Sequence, residues 1–168
     1  MTRNKLEVIA EPGSPSFMTR RVVHAPRSLV FEAFTRPEHL KRWMGPSVLT
    51  MALCEVDLRV GGGYRFVFRD PSGKEMGFRG VFREIVRPER IVRTLIFESF
   101  PEAEALETLL LQEHEGRTTI TTTTLHQSVE AREGHLGSGM EAGMVEGYAR
   151  LDELLASLRG HGAAEAAL

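Results

Sequence analysis

Cysteine is nearly missing from this chain: Cys54 is the only one among 168 residues. A single thiol closes no intrachain disulfide and supplies no cysteine-based zinc cluster. Such a composition suits a reducing compartment, and the expected location is cytoplasmic. Cys54 lies in the apolar run from Val48 to Val56, so it reads as a small buried hydrophobe rather than a reactive thiol. Long apolar runs are missing as well. Nothing approaches the roughly 18 residues that a membrane-crossing helix needs, so no membrane insertion is expected. The opening "MTRNKLEVIAEPGSPSF" has no apolar core of a secretory leader. Charge of one sign is also lacking. Lys and Arg number 21 against 23 Asp and Glu, a net charge of −2. Without a basic field, nucleic acid is not an expected partner. The sequence has no His-Glu-x-x-His and no Gly-x-Ser-x-Gly. No cofactor, no metal and no catalytic set are therefore expected.

What is present is an ordinary globular balance, 42% apolar and 26% charged residues. A chain of this length buries roughly 70% of its unfolded surface, enough for one domain with a real core. Residues 1–16 read as a polar lead-in in which "KLEVIA" offers a short strand. "FMTRRVV" reads as a strand ending before Pro26, and "APRSLVFEAF" as a short helix with Pro26 in its first turn. "TRPE" matches a capping box, Thr35 with Glu38, opening a second short helix that Gly45-Pro46 stops. "LTMALCEV", "YRFVFRD", "EMGFRGVFREIV", "RIVRTLIFES", "ALETLLLQEHE" and "RTTITTTTLHQ" then read as six strands joined by short turns, which favours an antiparallel meander. Ser138 and Glu141 suggest another capping box. From Met140 to Leu158 apolar residues recur at three- and four-residue steps, one long amphipathic helix. The domain is expected over 17–158, with 159–168 a flexible tail.

"LRVGGGYRF" poses the sharpest question. A glycine loop that cradles phosphate leads into a helix, whose N–H groups face the anion. Here the glycines lead into "YRFVFRD", where Tyr64, Phe66 and Phe68 alternate with Arg65, Val67 and Arg69. That is the period of a strand, so the glycines mark a tight reversal between two strands. Strand, two short helices, six strands and a long helix give an α+β architecture: a curved antiparallel sheet wrapped around the C-terminal helix. The space between helix and sheet forms a cup, a usual place for an apolar ligand.

The stretches "RVVHAPRSLVFEAFTRPEHLKRWMGP", "CEVDLRVGGGYRFVFR", "RGVFREIVRPERIV" and "GMEAGMVEGYARLDELL" resemble homologues of the heat-shock-protein ATPase activator (the AHSA type), within the START-like helix-grip superfamily, SRPBCC. The resemblance runs from about residue 17 to 158. It implies the helix-grip fold, with Ala25-Pro26, Val30-Phe31, Trp43, Pro46, Asp57-Arg59-Gly61-Gly62 and Arg150-Leu151 maintaining the cup. It implies the range of that superfamily's activities: binders of lipids, sterols or polyketides, and some cyclases and aromatases.

The expected lining of the cup is Tyr64, Phe66 and Phe68, with Phe78 and Phe82 on the next strand. Met140, Met144 and Tyr148 face them from the long helix, and Trp43 stands at the mouth or staples the second helix. Gly143 and Gly147 are expected to bring the helix close to the sheet or open space there. Each aromatic also suits plain core packing. The leading expectation is a binder of an apolar or amphipathic small molecule. The alternatives are a cyclase-like enzyme using Tyr64, His126 or Glu55, and a module that binds a chaperone. A homodimer through an exposed sheet edge is compatible with this fold. His126 and His135 fall near one helix start, a spacing that does not by itself make a metal site. The threonine-rich strand leaves both faces open: Thr118, Ile120, Thr122, Thr124 and His126 against Thr119, Thr121, Thr123 and Leu125.

Overall fold

The computed structural model describes residues 5–166, with side chains described as far as residue 160. Its elements follow the chain as β1 Glu7–Ile9, β2 Ser16–Val23, α1 Arg27–Thr35, α2 Pro37–Trp43, β3 Thr50–Val56, β4 Gly63–Arg69, β5 Glu75–Val86, β6 Arg90–Phe97, β7 Ala105–His114, β8 Arg117–Leu125, α3 Val129–Leu136 and α4 Met140–Ala166. The eight strands form one antiparallel sheet in the order β1-β2-β8-β7-β6-β5-β4-β3. Pairing of β2 with β8 brings the start of the domain beside its last strand, and β1 and β3 are left as edges. This is the helix-grip α+β fold expected from the sequence.

Alternation decides which face each strand turns toward α4. Along β2, Phe17, Thr19, Arg21 and Val23 are buried while their neighbours are half-exposed. Along β4, Tyr64, Phe66 and Phe68 are each 6% exposed or less. On β8 the inward set is Thr118, Ile120, Thr122 and Thr124, followed by His126 just past its end: Thr118 and Ile120 are fully enclosed, and the Thr118 hydroxyl donates to Ala25 O at 2.7 Å. Against this face α4 packs Tyr148, Leu151, Leu154 and Leu155.

Polar clamps fix α4 along its length. Ser47 donates its N–H and hydroxyl to Glu146 Oε2 at 2.6 and 2.9 Å. Arg150 donates to Gly45 O. Arg21 of β2 forks onto Asp152 at 3.1 and 2.6 Å, and Arg159 reaches His24 O at 2.6 Å. Gly147 allows one of these approaches, since a Cβ there would lie 3.0 Å from Trp43 O. Gly143 faces Pro46. These two glycines therefore fit α4 against the end of α2, not against the sheet as expected.

The sheet bends at β5–β6, where the register shifts between Phe82 and Glu84. Just before the shift the ladder opens: Gly80 and Val81 have no register partners on β6, and side chains take the freed groups. Val81 N–H donates to Thr94 Oγ1 at 2.8 Å, and the Tyr64 hydroxyl donates to Thr94 O at 2.6 Å. Gly80 makes this possible: a Cβ there would lie 1.9 Å from Thr94 O and 2.7 Å from the Tyr64 ring. The triple-glycine segment is a reversal, as expected. Gly61 has φ +87, and its N–H donates to Phe82 O at 2.8 Å. Asp57 pairs with Arg59 beside it at 2.9 Å.

Several expectations fail locally. Thr35 does not cap α2: it ends α1 and its hydroxyl donates to Phe31 O at 2.8 Å. Pro37 opens α2 instead, and the residue before it, Arg36, is extended, as proline requires. Pro26 sits one position earlier than expected, as the N-cap of α1. Ser138 donates its hydroxyl to His135 O at 2.6 Å and so closes α3 rather than opening α4. Helix α3 itself was not expected; Ser128 caps it by accepting from Ala131 N–H at 3.0 Å. Leu6 belongs to the core and β1 to the sheet, ahead of the boundary expected at 17. Helix α4 passes the boundary expected at 158 and continues to Ala166, so 159–166 is helical rather than a loose tail; residues 167 and 168 lie outside the described residues.

Gly80→Ala should lower unfolding free energy by about 2–3 kcal/mol, because the added methyl runs into the Thr94 backbone and the Tyr64 ring hydrogen-bonded to it. Gly134→Ala in α3 meets nothing within 4 Å and should stabilise by roughly 0.5–1 kcal/mol. Urea denaturation followed by Trp43 fluorescence compares the two; equal effects would refute this account of the bend.

Candidate functional site

The inner face of the sheet is not uniformly apolar. On β6 the inward series is Ile91, Arg93, Leu95, Phe97, and on β7 it is Ala105, Glu107, Leu109, Leu111. Arg93 and Glu107 are register partners across the two strands. Arg93 Nε donates to Glu107 Oε1 at 2.8 Å, and its Nη2 lies 2.7 Å from the same oxygen. The pair is only 15% and 17% exposed. The guanidinium lies over the Tyr64 ring, 4.3 Å from its centroid, and 5.7 Å from that of Phe66. Among the described residues, Glu107 Oε2 has no hydrogen-bond partner. Among the described residues, the buried side-chain polar atoms without a partner are Arg132 Nε and Arg150 Nε; Glu107 Oε2 is not one of them and stays open to water.

Both tyrosines of the chain sit beside this pair. Burial, with Arg93 working against it, pushes Tyr64 up to about 12. Burial and the nearby Glu107 carboxylate push Tyr148 well above the ordinary phenol range. Cys54 is raised to about 11, chiefly by burial. At the rim, His126 Nε2 and His135 Nδ1 are 3.0 Å apart, with the Phe17 ring against both. Burial and the His135 charge hold His126 below the usual imidazole range, and burial does the same to His135 against the pull of Glu107.

The residues expected to line a cavity are mostly brought together, but as a packed cluster. Tyr64, Phe66, Phe68 and Phe82 are buried in one core with Tyr148 and Trp43. Trp43 staples rather than lines: its Nε1–H donates to Ala33 O at 2.8 Å, and its ring meets Phe34 and Tyr148. Phe78, Met140 and Met144 are half-buried; Phe78 and Met144 pack on that core, whereas Met140 is not among the residues packed against it. A chain of rings leads outward from Phe68 through Phe78 and Phe97 to Phe100, which is 60% exposed. The acid-base trio Tyr64, His126 and Glu55 is not assembled. Glu55 is exposed on the outer face of β3 opposite Arg65, and the Tyr64 hydroxyl is committed to Thr94. A shallow depression of about 480 Å³ lies on that outer face, around Glu55, Arg65, Arg79 and Val81. The sequence reading missed Arg93 and Glu107. Their signal was there: one charged residue on the inward register of each of two neighbouring strands, opposite in sign.

A family model described as Activator of Hsp90 ATPase homolog 1-like protein matches residues 24–156. A solved protein from Rhodobacter sphaeroides is 29% identical and superposes with a TM-score of 0.82, over 90% of this chain and 99% of its own. One from Nitrosomonas europaea is 28% identical with a TM-score of 0.76, over 86% and 96%. One from Chromobacterium violaceum is 25% identical with a TM-score of 0.71, over 84% and 96%. No curated protein matches the chain. No described helix is long and apolar enough to cross a membrane.

Titration at 295 nm should show neither tyrosine ionising near pH 10, where free phenols do. Because the folded pKa is raised, the stabilisation is complete below pH 10 and falls as pH climbs through about 12, so ionisation should appear together with unfolding. A normal transition near 10 in folded protein would contradict the packing of this site.

Proposed function

The chain belongs to the Activator of Hsp90 ATPase homolog 1-like family, and we propose that it binds one amphipathic small molecule between α4 and the inner face of the sheet. The molecule's apolar body rests on Phe66, Phe68, Phe78 and Phe82, and its polar end donates a hydrogen bond to Glu107 Oε2. The observation that carries this reading is an arginine-held carboxylate on the inner face of the sheet whose second oxygen stays open to water and within reach of a ligand. A charged group in a mostly apolar wall that keeps one accessible acceptor supplies the kind of polar contact that orients a ligand in such a site. The donor class is set by the acceptor: hydroxyl, amide or ammonium heads suit Glu107, and carboxylate heads do not.

Room for the ligand comes from the half-buried side of the cup. Phe78 and Met144 yield most readily there, since methionine repacks at small cost. The rings Phe97 and Phe100 form the apolar approach to it. The packed interior also supports a second reading from another class, a module that acts through its surface on a protein partner such as a chaperone.

The test uses 1-dodecanol and dodecanoate, with Trp43 fluorescence as the reporter, since Tyr148 touches both Trp43 and the cup. Dodecanol should bind one to one, and more tightly than dodecanoate. Glu107→Gln and Met144→Ala should each weaken dodecanol binding, the former roughly tenfold or more, the worth of a hydrogen bond to a charged group. Absence of any one-to-one binding by ligand-free protein would remove the cup reading and leave the surface module.

A further inference from the structure

We propose that His126 and His135 form a two-histidine site for a borderline divalent transition metal, with Cu²⁺ held more tightly than Ni²⁺ or Zn²⁺. The two donor atoms come from different elements, the end of β8 and the last turn of α3, and they face one another at 3.0 Å. Metal–imidazole bonds of about 2.0–2.1 Å place two nitrogens roughly 2.9 Å apart at a 90° angle and roughly 3.3 Å apart at a tetrahedral one. The observed separation falls between these values. Turning each ring by roughly 35–45°, so that both lone pairs converge off the N···N line, converts the hydrogen-bonded pair into a chelate; the proton between them moves through solvent to the other nitrogen of its own ring, and both imidazoles bind as neutral ligands.

The scaffold holds the pair in place without a metal. His126 N–H donates to Pro15 O at 2.9 Å. Helix α3 is fixed by its Ser128 cap and by Arg132, which donates to Glu11 O at 2.6 Å and Ser16 O at 3.3 Å. The Phe17 ring stacks on His126 at 6.2 Å and meets His135 edge-on at 5.1 Å, so neither imidazole is a free surface rotor. His126, though not His135, also lines a shallow depression of about 350 Å³ with Arg83, Glu104 and Gln127. Among the described residues no third histidine, cysteine or carboxylate completes a cluster. The remaining coordination positions therefore go to water. Two imidazoles favour Cu²⁺ over Zn²⁺ by the usual order of stability, and give Mg²⁺ and Ca²⁺ nothing.

Calorimetric titration of the purified protein with CuSO₄, NiCl₂, ZnCl₂ and MgCl₂ should show one site, strongest for copper and absent for magnesium. His126→Gln and His135→Gln should each weaken copper binding at least tenfold, while His114→Ala, at a residue 89% exposed, should leave it unchanged. If a histidine variant fails to fold, the spectrum of one equivalent of Cu²⁺ on the unaltered protein still decides. Electron paramagnetic resonance should show two imidazole nitrogens in the equatorial plane. One nitrogen or none, or unchanged binding in either histidine variant, overturns the proposal.

Discussion

The bend between β5 and β6 is the constraint on which the rest depends. A flat sheet of eight strands cannot wrap a helix, and this one curves where its register slips between Phe82 and Glu84. Beside the slip, Gly80 and Val81 have no register partners on β6, and an unpaired peptide group inside the protein costs about 1–3 kcal/mol. Three residues remove that cost. Gly80 clears the space, Thr94 accepts from Val81 N–H through its hydroxyl, and Tyr64 crosses the gap to take Thr94 O. The glycine reversal lies on the same line, with Gly61 and Gly62 bonded to the backbone of Phe82. Glycines that resemble a ligand-binding loop are thus a backbone fitting, and Tyr64, which resembles a catalytic phenol, is a structural donor.

The bend also decides where charge lies. Tyr64, held over Gly80, presents its ring face to Arg93, and Phe66 stands behind it. An arginine laid across two neighbouring rings keeps its charge in an apolar wall because the π faces and Glu107 together replace its water. The second interior pair, Arg21–Asp152, is different in kind. Both carboxylate oxygens accept from the guanidinium, and the pair ties β2 to α4. One pair is fully used in holding the helix, whereas the other keeps an oxygen in reserve. That difference is why the functional argument rests on Glu107 and not on Asp152.

The architecture was legible because the strands between 50 and 114 alternate strongly, and because "YRFVFRD" after three glycines admits no helix. The orientation of β8 was not. Threonine suits either face, so "RTTITTTT" carries almost no period-two signal, and only packing against Phe17 and Leu109 selects Thr122 and Thr124 as inward. Helix α3 was hidden for a related reason: "VEAREGHL" has one buried side chain, Arg132, and its hold on the fold is hydrogen bonding to Glu11 and Ser16. Both capping boxes failed because the motif is a spacing, and spacing does not state which helix owns the residue. Pro37 outcompeted Thr35 as the start of α2, and α3 claimed Ser138 at its end.

The same logic explains why the site was less legible than the fold. Pattern reading treats an inward charge as an error in the register, so Arg93 and Glu107 were absorbed into their strands. Considered across strands instead, the two deviations fall on one rung and cancel in charge, which a register error does not do. His126 and His135 behave alike: nine residues apart and unremarkable in sequence, they meet because α3 folds back on β2 around Phe17. In both cases the chemistry comes from a contact between neighbouring elements. A reading that scores each element alone recovers the packing of this cup and passes over the polar groups inside it.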